Sequence, residues 1–252
     1  MNTFFKTTEI SIDNARTLPG QYYTSPELFS EELERIFTKR WVCVGRADRI
    51  PNPGDWFRQD LGKESLIILR DREGPCRAYY NVCRHRGTRI CQEHSGHFAG
   101  RIQCPYHAWT YGLDGRLIGA PATQDLENFS AADWPLVPVA VATWEGFLLV
   151  NLADNPEPFA QAWAPLLDRF SRFNLANLKV ARTIEYDVKA NWKLLFQNYS
   201  ECYHCAPLHP ALAKLSPPTS GENDLIEGQF SGGFMTLNRG AQSLTMSGQP
   251  CG

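Results

Sequence analysis

The sequence carries Cys83-Arg84-His85-Arg86-Gly87 and, further along, Cys104-Pro105-Tyr106-His107-Ala108-Trp109. Each segment contains one thiol and one imidazole, at Cys-x-His and Cys-x-x-His spacing, so both donors of a segment fall on one tight loop. Gly87 and Pro105 suit loops whose backbone amides approach a bound group closely. The two loops together therefore supply two sulfur and two nitrogen ligands.

This mixed donor set is that of a Rieske [2Fe–2S] cluster, in which two histidines replace two cysteines on one iron. A tetrahedral zinc ion is the alternative, since zinc accepts the same four donors. Zinc fingers usually place the cysteines in one half of the motif and the histidines in the other. Because each loop here holds one of each, the donor set favours the cluster.

Short strand-like runs surround the two loops. They are rich in aliphatic and aromatic residues, are separated by Gly, Pro and Asp, and fall at residues 41–45, 55–61, 66–70, 76–82, 111–117, 137–141 and 147–151. The run at 111–117 is predicted to fold about Asp114-Gly115. Several short strands at close spacing predict an all-β sandwich or small barrel that closes near residue 152.

Other elements are predicted on either side of these strands. Residues 25–41 form an amphipathic helix by their apolar spacing, with Pro26 suited to its first position. Residues 159–173 are predicted as a helix and residues 180–188 as an alternating strand. From Ser216 onward the chain is rich in Pro, Gly and Ser, which indicates a second domain without a finished core.

The composition limits the class of protein and its compartment. Hydrophobic residues make up 43% and charged residues 21% of the chain, as in soluble globular proteins, and the net charge of −2 gives no general attraction to nucleic acid or anionic membranes. No secretory signal or membrane-spanning run is evident. We therefore expect a cytoplasmic protein, in which eight cysteines do not indicate a disulfide scaffold.

A second group of polar residues lies near residue 200. If the segment through residue 205 is helical, Asn198, Glu201 and His204 fall on one side at three-residue spacing. Pro207 would then bend the chain and return His209 to the same side. One carboxylate and two imidazoles suit a divalent metal of the iron or zinc type.

Less specific interpretations of this second group remain open. A histidine near a helix end is often a cap or a buried core group rather than a ligand. Cys202 and Cys205 form a Cys-x-x-Cys that could be half of a zinc site or a redox pair.

The sequence resembles the large (alpha) subunit of Rieske non-haem iron oxygenases, the ring-hydroxylating oxygenase family. The residues that carry this resemblance are the two loops, followed by Asn198-Tyr199-Ser200-Glu201-Cys202-Tyr203-His204 and by His209. The resemblance covers nearly the whole chain. It implies an α+β protein in which an all-β Rieske domain of antiparallel sheets, residues 41–152, joins an incomplete, helix-grip-like catalytic domain, residues 153–252. A helical segment at residues 1–40 would pack on the catalytic domain.

The resemblance also implies a role for each candidate residue. The ligands of the cluster would be Cys83, His85, Cys104 and His107. His204 and His209 would be the two histidines of a mononuclear Fe(II) site completed by a carboxylate, and Asn198 would lie close to that iron. Glu201 matches the acid that links the Rieske histidine of one subunit to the iron histidine of the next, which implies a homo-trimer.

Two departures from the family pattern bear on function. Many members have Asp where this chain has Glu201, and Glu is similar to the branch that oxidises quaternary-ammonium and betaine substrates. The third iron ligand of the family is an acid that lies downstream of Gly252, and Asp224 and Glu227 come too early to match it. The sequence thus resembles a complete Rieske domain joined to about half of a catalytic domain.

The function implied is that of an oxygenase component. Electrons would pass from a separate NAD(P)H-dependent flavin or ferredoxin reductase through the cluster to Fe(II), and O₂ would be used to hydroxylate or N-demethylate a small betaine-like or aromatic substrate. The sequence has no Gly-x-Gly-x-x-Gly phosphate loop, so the nicotinamide is expected to bind elsewhere. The alternatives are a Rieske electron-transfer protein with a non-functional catalytic remnant and a zinc-binding structural module.

The residues around the loops also bear on the cluster potential. High-potential Rieske proteins resemble this chain but have a disulfide between the loops and a hydroxyl residue where Trp109 stands here. Fewer hydrogen-bond donors to sulfur imply a lower potential, suited to the reduction of O₂.

Overall fold

The computed structural model describes residues 17–224, 230, 232–245 and 249. Its helices are short: α1 Gln21–Thr24, α2 Pro26–Glu32 with a π-helical continuation Leu33–Phe37, α3 Phe159–Ala162, α4 Trp192–Tyr199, α5 Cys205–Leu208 and α6 Pro210–Leu215. Within the described ranges, none of them has the length and apolar character needed to cross a membrane.

Twelve strands occur in the same described ranges. They are β1 Val42–Arg46, β2 Asp55–Leu61, β3 Glu64–Arg70, β4 Cys76–Tyr80, β5 Ser95–His97, β6 Arg101–Gln103, β7 Thr110–Gly112, β8 Leu117–Gly119, β9 Pro138–Trp144, β10 Phe147–Asn151, β11 Glu222–Asp224 and β12 Gly232–Phe234. Antiparallel sheets beside short helices give the α+β class that the sequence predicts.

The chain forms two compact units. One, which we call the β unit, is Pro26–Ile184, and the other, the helical unit, consists of Met1–Ser25 with Glu185–Gly252. Residues 1–16 of the predicted N-terminal segment, and Glu227 with most residues after 245, lie outside the described residues. The domain limits predicted at residues 40 and 152 stay a prediction.

The β unit contains two antiparallel sheets. Seven strands form the larger sheet in the order β1-β10-β9-β4-β3-β2-β5, and β6, β7 and β8 form the smaller one. Each of the seven strand segments expected between residues 41 and 151 contains a strand, and the run at 111–117 folds back as expected because β7 pairs with β8. The prediction of an all-β domain of antiparallel sheets is therefore confirmed.

The larger sheet is covered on both faces. Leu66 to Leu69 are all fully buried in β3, and alternate residues belong to different cores. Ile67 packs with Tyr111 in one core, whereas Leu66 packs with Phe57 in the other. Because Cys83 and Cys104 belong to the core with Tyr111, the two cysteine–histidine loops start from the interior of the unit.

Two helix predictions in the β unit need correction. The helix expected at 25–41 ends at Phe37, so Trp41 lies outside it. The helix expected at 159–173 is wrong in extent, since only Phe159–Ala162 is α-helical and turns follow. Pro165 explains the early end, because proline lacks an N–H and disfavours helical backbone in the residue before it.

The strand predicted at 180–188 is also wrong. These residues form no strand, and the side chains of Ile184, Tyr186 and Val188 are exposed. An isolated extended segment gains stability as a strand only when a neighbour accepts its hydrogen bonds. None of the described strands pairs with this segment.

Candidate functional site

The first loop of the site follows strand β4 and closes on itself through backbone hydrogen bonds. The Cys83 N–H donates to the Thr88 carbonyl at 2.8 Å, and the Gly87 N–H donates to the Cys83 carbonyl at 3.0 Å. Gly87 has φ +74°, in the left-handed region that glycine adopts without strain. This turn places the imidazole of His85 at the exposed tip of the loop.

The second loop repeats the same closure between β6 and β7. The Cys104 N–H donates to the Trp109 carbonyl at 2.8 Å, and the Ala108 N–H donates to the Cys104 carbonyl at 3.2 Å. Ala108, like its counterpart Gly87, has a positive φ, +57°. The two loops thus share one backbone design, in which the cysteine lies at the base.

The structure brings the four predicted cluster ligands to one place. The side chains of Cys83 and Cys104 are 2% and 3% exposed. The rings of His85 and His107 are in edge contact, with centroids 4.7 Å apart. Two buried thiols therefore lie below two adjacent imidazoles, as a cluster with sulfur ligands on one iron and nitrogen ligands on the other requires.

Aromatic side chains fix both imidazoles. The indole of Trp109 stacks on His85 with centroids 5.0 Å apart and an interplanar angle of 10°. The ring of Tyr106 lies 3.7 Å from that of His107. Because Trp109 is itself buried against Phe129, the orientation of His85 is set by the core.

The electrostatics of the loops suit metal ligands. Partial desolvation, together with the neighbouring His107, lowers the pKa of His85, which favours the neutral imidazole that binds metal. Burial raises the pKa of Cys104, which opposes the thiolate, so iron would have to displace the proton of this thiol, and the fit rests on the donor types and their placement. The residues present fit a Rieske [2Fe–2S] cluster.

Tyr111 is a further candidate residue of the site, which the sequence argument missed. Its hydroxyl accepts a hydrogen bond from the Arg84 N–H at 3.1 Å and lies 3.3 Å from the Cys83 sulfur. With its oxygen already accepting, the hydroxyl proton is available to a Cys83 thiolate. Burial raises the pKa of Tyr111 well above its usual value, so it stays a donor. The sequence offered one sign of this role, because Tyr111 follows His107 by four residues in a segment predicted to be a strand.

In the helical unit, the segment expected to be one helix through Cys205 is interrupted. Helix α4 begins after Asn191, whose side chain accepts from the Lys193 N–H at 3.1 Å, and ends at Tyr199. A turn separates it from α5, which begins at Cys205. The expectation of a continuous helix is therefore wrong, because the carboxylate of Glu201 takes a backbone donor from the turn.

Glu201 and His204 contact each other at this turn. Glu201 Oε1 lies 2.7 Å from His204 Nδ1, and Glu201 Oε2 accepts from the Tyr203 N–H at 2.6 Å. The hydrogen bond with His204 is the largest cause that lowers the pKa of Glu201. With Nδ1 engaged, His204 would present Nε2 to a metal.

The chain bends at His209 rather than at Pro207, which corrects the sequence prediction. Pro207 lies inside α5, where the missing N–H of a first-turn proline costs little. His209 has φ −125° and ψ 57°, outside the helical region, because it precedes Pro210. The bend leaves the rings of His204 and His209 with centroids 5.5 Å apart, so the two predicted iron ligands lie together.

The second site has two candidate ligands in contact with each other, His204 and His209. Asn198 is exposed near the end of α4, and in the described part of the chain it makes no hydrogen bond with either histidine. At this site, as at the cluster loops, no three His, Cys, Asp or Glu side chains of the described residues converge on a single metal position. The two imidazoles of His204 and His209 fit the histidine part of a mononuclear iron site. At the first site, a [2Fe–2S] cluster needs only two protein ligands on each iron.

Comparison with known families agrees with these sites. Residues 40–130 match the Rieske [2Fe-2S] domain, and residues 175–250 match the catalytic domain of the ring hydroxylating alpha subunit. The first match contains both loops, and the second contains Glu201, His204 and His209.

Individual relatives share the same architecture. The glycine betaine monooxygenase oxygenase subunit of Chromohalobacter salexigens is 41% identical over 197 residues, which are 78% of this chain and 44% of that protein. The crystal structure of the quaternary ammonium Rieske monooxygenase CntA with inhibitor MMV12 has a TM-score of 0.81 at 31% identity, covering 90% of this chain and 63% of that one.

A further structure of a quaternary ammonium Rieske monooxygenase has a TM-score of 0.77 at 33% identity, and the match covers 82% of this chain and 57% of that one. That structure is described as giving insights into carnitine oxidation by gut microbiota and into inter-subunit electron transfer. The chain spans about half the length of the curated relatives that it matches.

Proposed function

The chain belongs to the family of Rieske ring-hydroxylating oxygenase alpha subunits, and on this premise we propose that it acts as the oxygenase component of a Rieske monooxygenase for small quaternary-ammonium compounds. One observation carries the proposal. Two buried thiols, Cys83 and Cys104, lie below the adjacent imidazoles of His85 and His107. That arrangement matches the two thiolate and two imidazole ligands of an electron-transferring Rieske cluster.

The residues of the two sites would have distinct tasks. When bound, the cluster supplies single electrons and the mononuclear iron supplies a site for O₂. Cys83, Cys104, His85 and His107 hold the cluster. His204 and His209 bind the iron through neutral imidazoles, and Glu201 holds the ring of His204 by its hydrogen bond at 2.7 Å.

Glu201 has a second proposed task, as the bridge to the neighbouring subunit of a homo-trimer. A carboxylate can accept hydrogen bonds from two imidazoles, one on each of its oxygens. In the related monooxygenase structure cited above, electron transfer is described as inter-subunit. Glu201 would therefore join His204 to His107 of the next subunit and keep the two metal centres in register.

The substrate class is inferred from the relatives and from the exposed aromatic rings of the helical unit. The relatives act on glycine betaine or belong to the quaternary ammonium monooxygenases. Aromatic faces bind quaternary ammonium ions through cation–π attraction. The candidate walls of such a pocket are Phe196, Tyr199, Tyr203, Phe230 and Phe234.

The electron donor would be a separate NAD(P)H-dependent reductase with a flavin or ferredoxin domain, in the cytoplasm. Arg84, Arg86 and Arg89 are exposed on the first loop. Their positive charge, beside the exposed imidazole of His85, would attract an acidic donor surface. Raising the salt concentration should accordingly slow reduction of the cluster by the donor.

The cluster is tested by the spectrum of the purified chain. We expect a red-brown protein with about two irons and two sulfides per chain and the rhombic electron paramagnetic resonance signal of a reduced Rieske cluster. A colourless protein that binds zinc would overturn the proposal.

The oxygenase activity is tested with the full-length enzyme and a reductase. Oxygen uptake should be stimulated by glycine betaine or carnitine, and Glu201→Gln should lower product formation by about 100-fold while cluster and iron content stay unchanged. Uptake with aromatic carboxylates and none with betaines would contradict the substrate class. Normal turnover of the variant, or turnover lost only together with iron, would contradict the bridging task.

The second candidate function is that of an electron-transfer protein with a catalytic remnant. A carrier needs only the cluster loops, which lie within the Rieske match at residues 40–130. A carrier would still be reduced by the reductase but would show no substrate-dependent uptake of oxygen. The oxygen-uptake measurement therefore separates the two functions.

A further inference from the structure

Asn81 lies between strand β4 and the first cluster loop, and its side chain is buried, with 2% of the residue exposed. The oxygen Oδ1 accepts from the Ile90 N–H at 3.1 Å and from the Cys91 N–H at 2.8 Å. The nitrogen Nδ2 donates to the Cys91 carbonyl at 2.7 Å and to the Ser65 hydroxyl at 3.2 Å. One amide thus joins the start of the loop to its end.

All four hydrogen-bonding positions of this amide are used. A primary amide has two acceptor positions on oxygen and two donor hydrogens on nitrogen. Since Ile90 and Cys91 are themselves buried, no water can replace these bonds if the amide is removed. Few other side chains of this size could satisfy two N–H groups and one carbonyl at the same point.

The backbone of Asn81 is fixed as well. Its N–H donates to the Ser65 carbonyl at 2.8 Å, which attaches the residue to the end of the larger sheet. The segment between Asn81 and Ile90 contains the candidate ligands Cys83 and His85. Its residues 84–87, which include His85, are all exposed. A loop with an exposed tip keeps its shape only if its two ends are held together.

We propose that Asn81 is the positioning residue of the first cluster loop, which holds Cys83 and His85 at the spacing that the cluster needs by closing the loop at both ends. The inference rests on the proposed function, because it assigns the loop to a [2Fe–2S] cluster. Asn81 acts through Cys83 and His85 and touches no reacting atom.

The chain offers a matched control. Asn151 is an equally buried asparagine of the same unit, 2% exposed, whose Oδ1 accepts from the Ala153 N–H at 2.9 Å and whose Nδ2 donates to the Lys39 carbonyl at 3.4 Å. It lies at the end of β10 and contacts neither loop. Asn151→Leu therefore reports the general cost of losing a buried amide.

The experiment compares the purified full chain with Asn81→Leu, Asn81→Asp and Asn151→Leu. A chelator is added and loss of the visible absorbance of the cluster is followed, with the paramagnetic resonance spectrum of the reduced cluster and the unfolding midpoint as further measurements. We expect Asn81→Leu to lose the cluster at least about tenfold faster than wild type and to change the g values. Asn151→Leu should lower the unfolding midpoint but keep the rate within about twofold and the g values unchanged.

Asn81→Asp keeps both acceptor bonds but puts an oxygen against the Cys91 carbonyl, so it should also lose the cluster faster than wild type, which preserves the test if Asn81→Leu does not fold. Equal rates in Asn81→Leu and Asn151→Leu, or wild-type rates and spectra in both Asn81 variants, would overturn the proposal.

Hydrogen exchange of the Ile90 and Cys91 amides in the cluster-free chain separates this inference from the proposed function. Exchange should accelerate at least about tenfold in Asn81→Leu and stay unchanged in Asn151→Leu. This measurement does not need the cluster. A wild-type chain that binds no cluster would remove the proposed function, and unchanged exchange in Asn81→Leu would remove the inference about the loop.

Discussion

The β unit and the helical unit differ in how far their large apolar side chains are exposed to solvent. In the β unit, Phe57 and Tyr111 are at most 1% exposed, within two cores on either side of one sheet. In the helical unit, Tyr199 and Tyr203 are 92% and 98% exposed and Phe196 is 65% exposed. Burial of such a side chain contributes about 1.5–3 kcal/mol, so the two units differ sharply in their sources of stability.

The difference affects the two candidate metal sites. The ligands of the cluster start from a core, are supported by Trp109 and Tyr111, and lie on loops closed by their own backbone. The histidines of the iron site lie on short helices with little buried surface, and their geometry depends on the contact of His204 with Glu201. We therefore expect the cluster site to tolerate changes elsewhere in the chain better than the iron site.

The largest expected effect comes from removal of a cluster ligand. Cys104→Ser replaces a thiolate by a hydroxyl that iron binds weakly, so nearly all cluster iron and sulfide should be lost. His209→Ala in the helical unit should leave the cluster intact and remove only mononuclear iron. Metal analysis with the visible spectrum checks both. A cluster lost in both variants would show that the two sites are not independent.

Truncation of an apolar side chain should separate the two units by stability. Phe57→Ala in the core should lower the free energy of unfolding of the β unit by about 3–5 kcal/mol. Phe196→Ala, at a mostly exposed position, should change stability by less than about 0.5 kcal/mol. Urea unfolding followed by the cluster absorbance and by circular dichroism measures each. Similar losses for the two variants would contradict the comparison.

The hydroxyl of Tyr111 should tune the cluster without a large effect on folding. A hydrogen bond to the sulfur of Cys83 stabilises the more negative, reduced cluster, so Tyr111→Phe should lower its midpoint potential by roughly 40 mV, or about 1 kcal/mol for one electron. Tyr79→Phe is the control, because that buried hydroxyl donates to the Leu113 carbonyl at 3.2 Å. Redox titration of both variants is the measurement, and equal shifts would exclude the specific role of Tyr111.

The smallest expected effect concerns the backbone of the second loop. Ala108 adopts φ +57°, which disfavours a residue with a Cβ, whereas its counterpart Gly87 adopts φ +74° without strain. Ala108→Gly should therefore stabilise the β unit by about 0.5–1 kcal/mol, and Gly87→Ala should destabilise it by a similar amount. Thermal unfolding of the cluster-loaded chain distinguishes the signs. A loss of stability in Ala108→Gly would contradict the shared loop design.

Local patterns in the sequence predicted much of this molecule. The strands of the β unit could be located because short runs of aliphatic and aromatic residues between turn residues reflect burial on a sheet. The cysteine–histidine spacings identified the cluster loops, since both donors of a loop come from a few adjacent residues. The prediction of a helix at 159–173 was wrong because Pro165 interrupts the helical backbone despite the apolar spacing. The prediction of a strand at 180–188 was wrong because no described strand pairs with that segment.

The sequence by itself indicated the candidate donors at both sites, because ligand chemistry depends on residue type and short spacing. Tertiary structure alone decided how those donors are held: Tyr111 reaches Cys83 across 28 positions of the chain, and the two loops meet so that His85 contacts His107. It also decided that Asn81 closes the first loop. Such contacts depend on how sheets and loops pack, and packing joins residues whose distance along the chain carries no local signal.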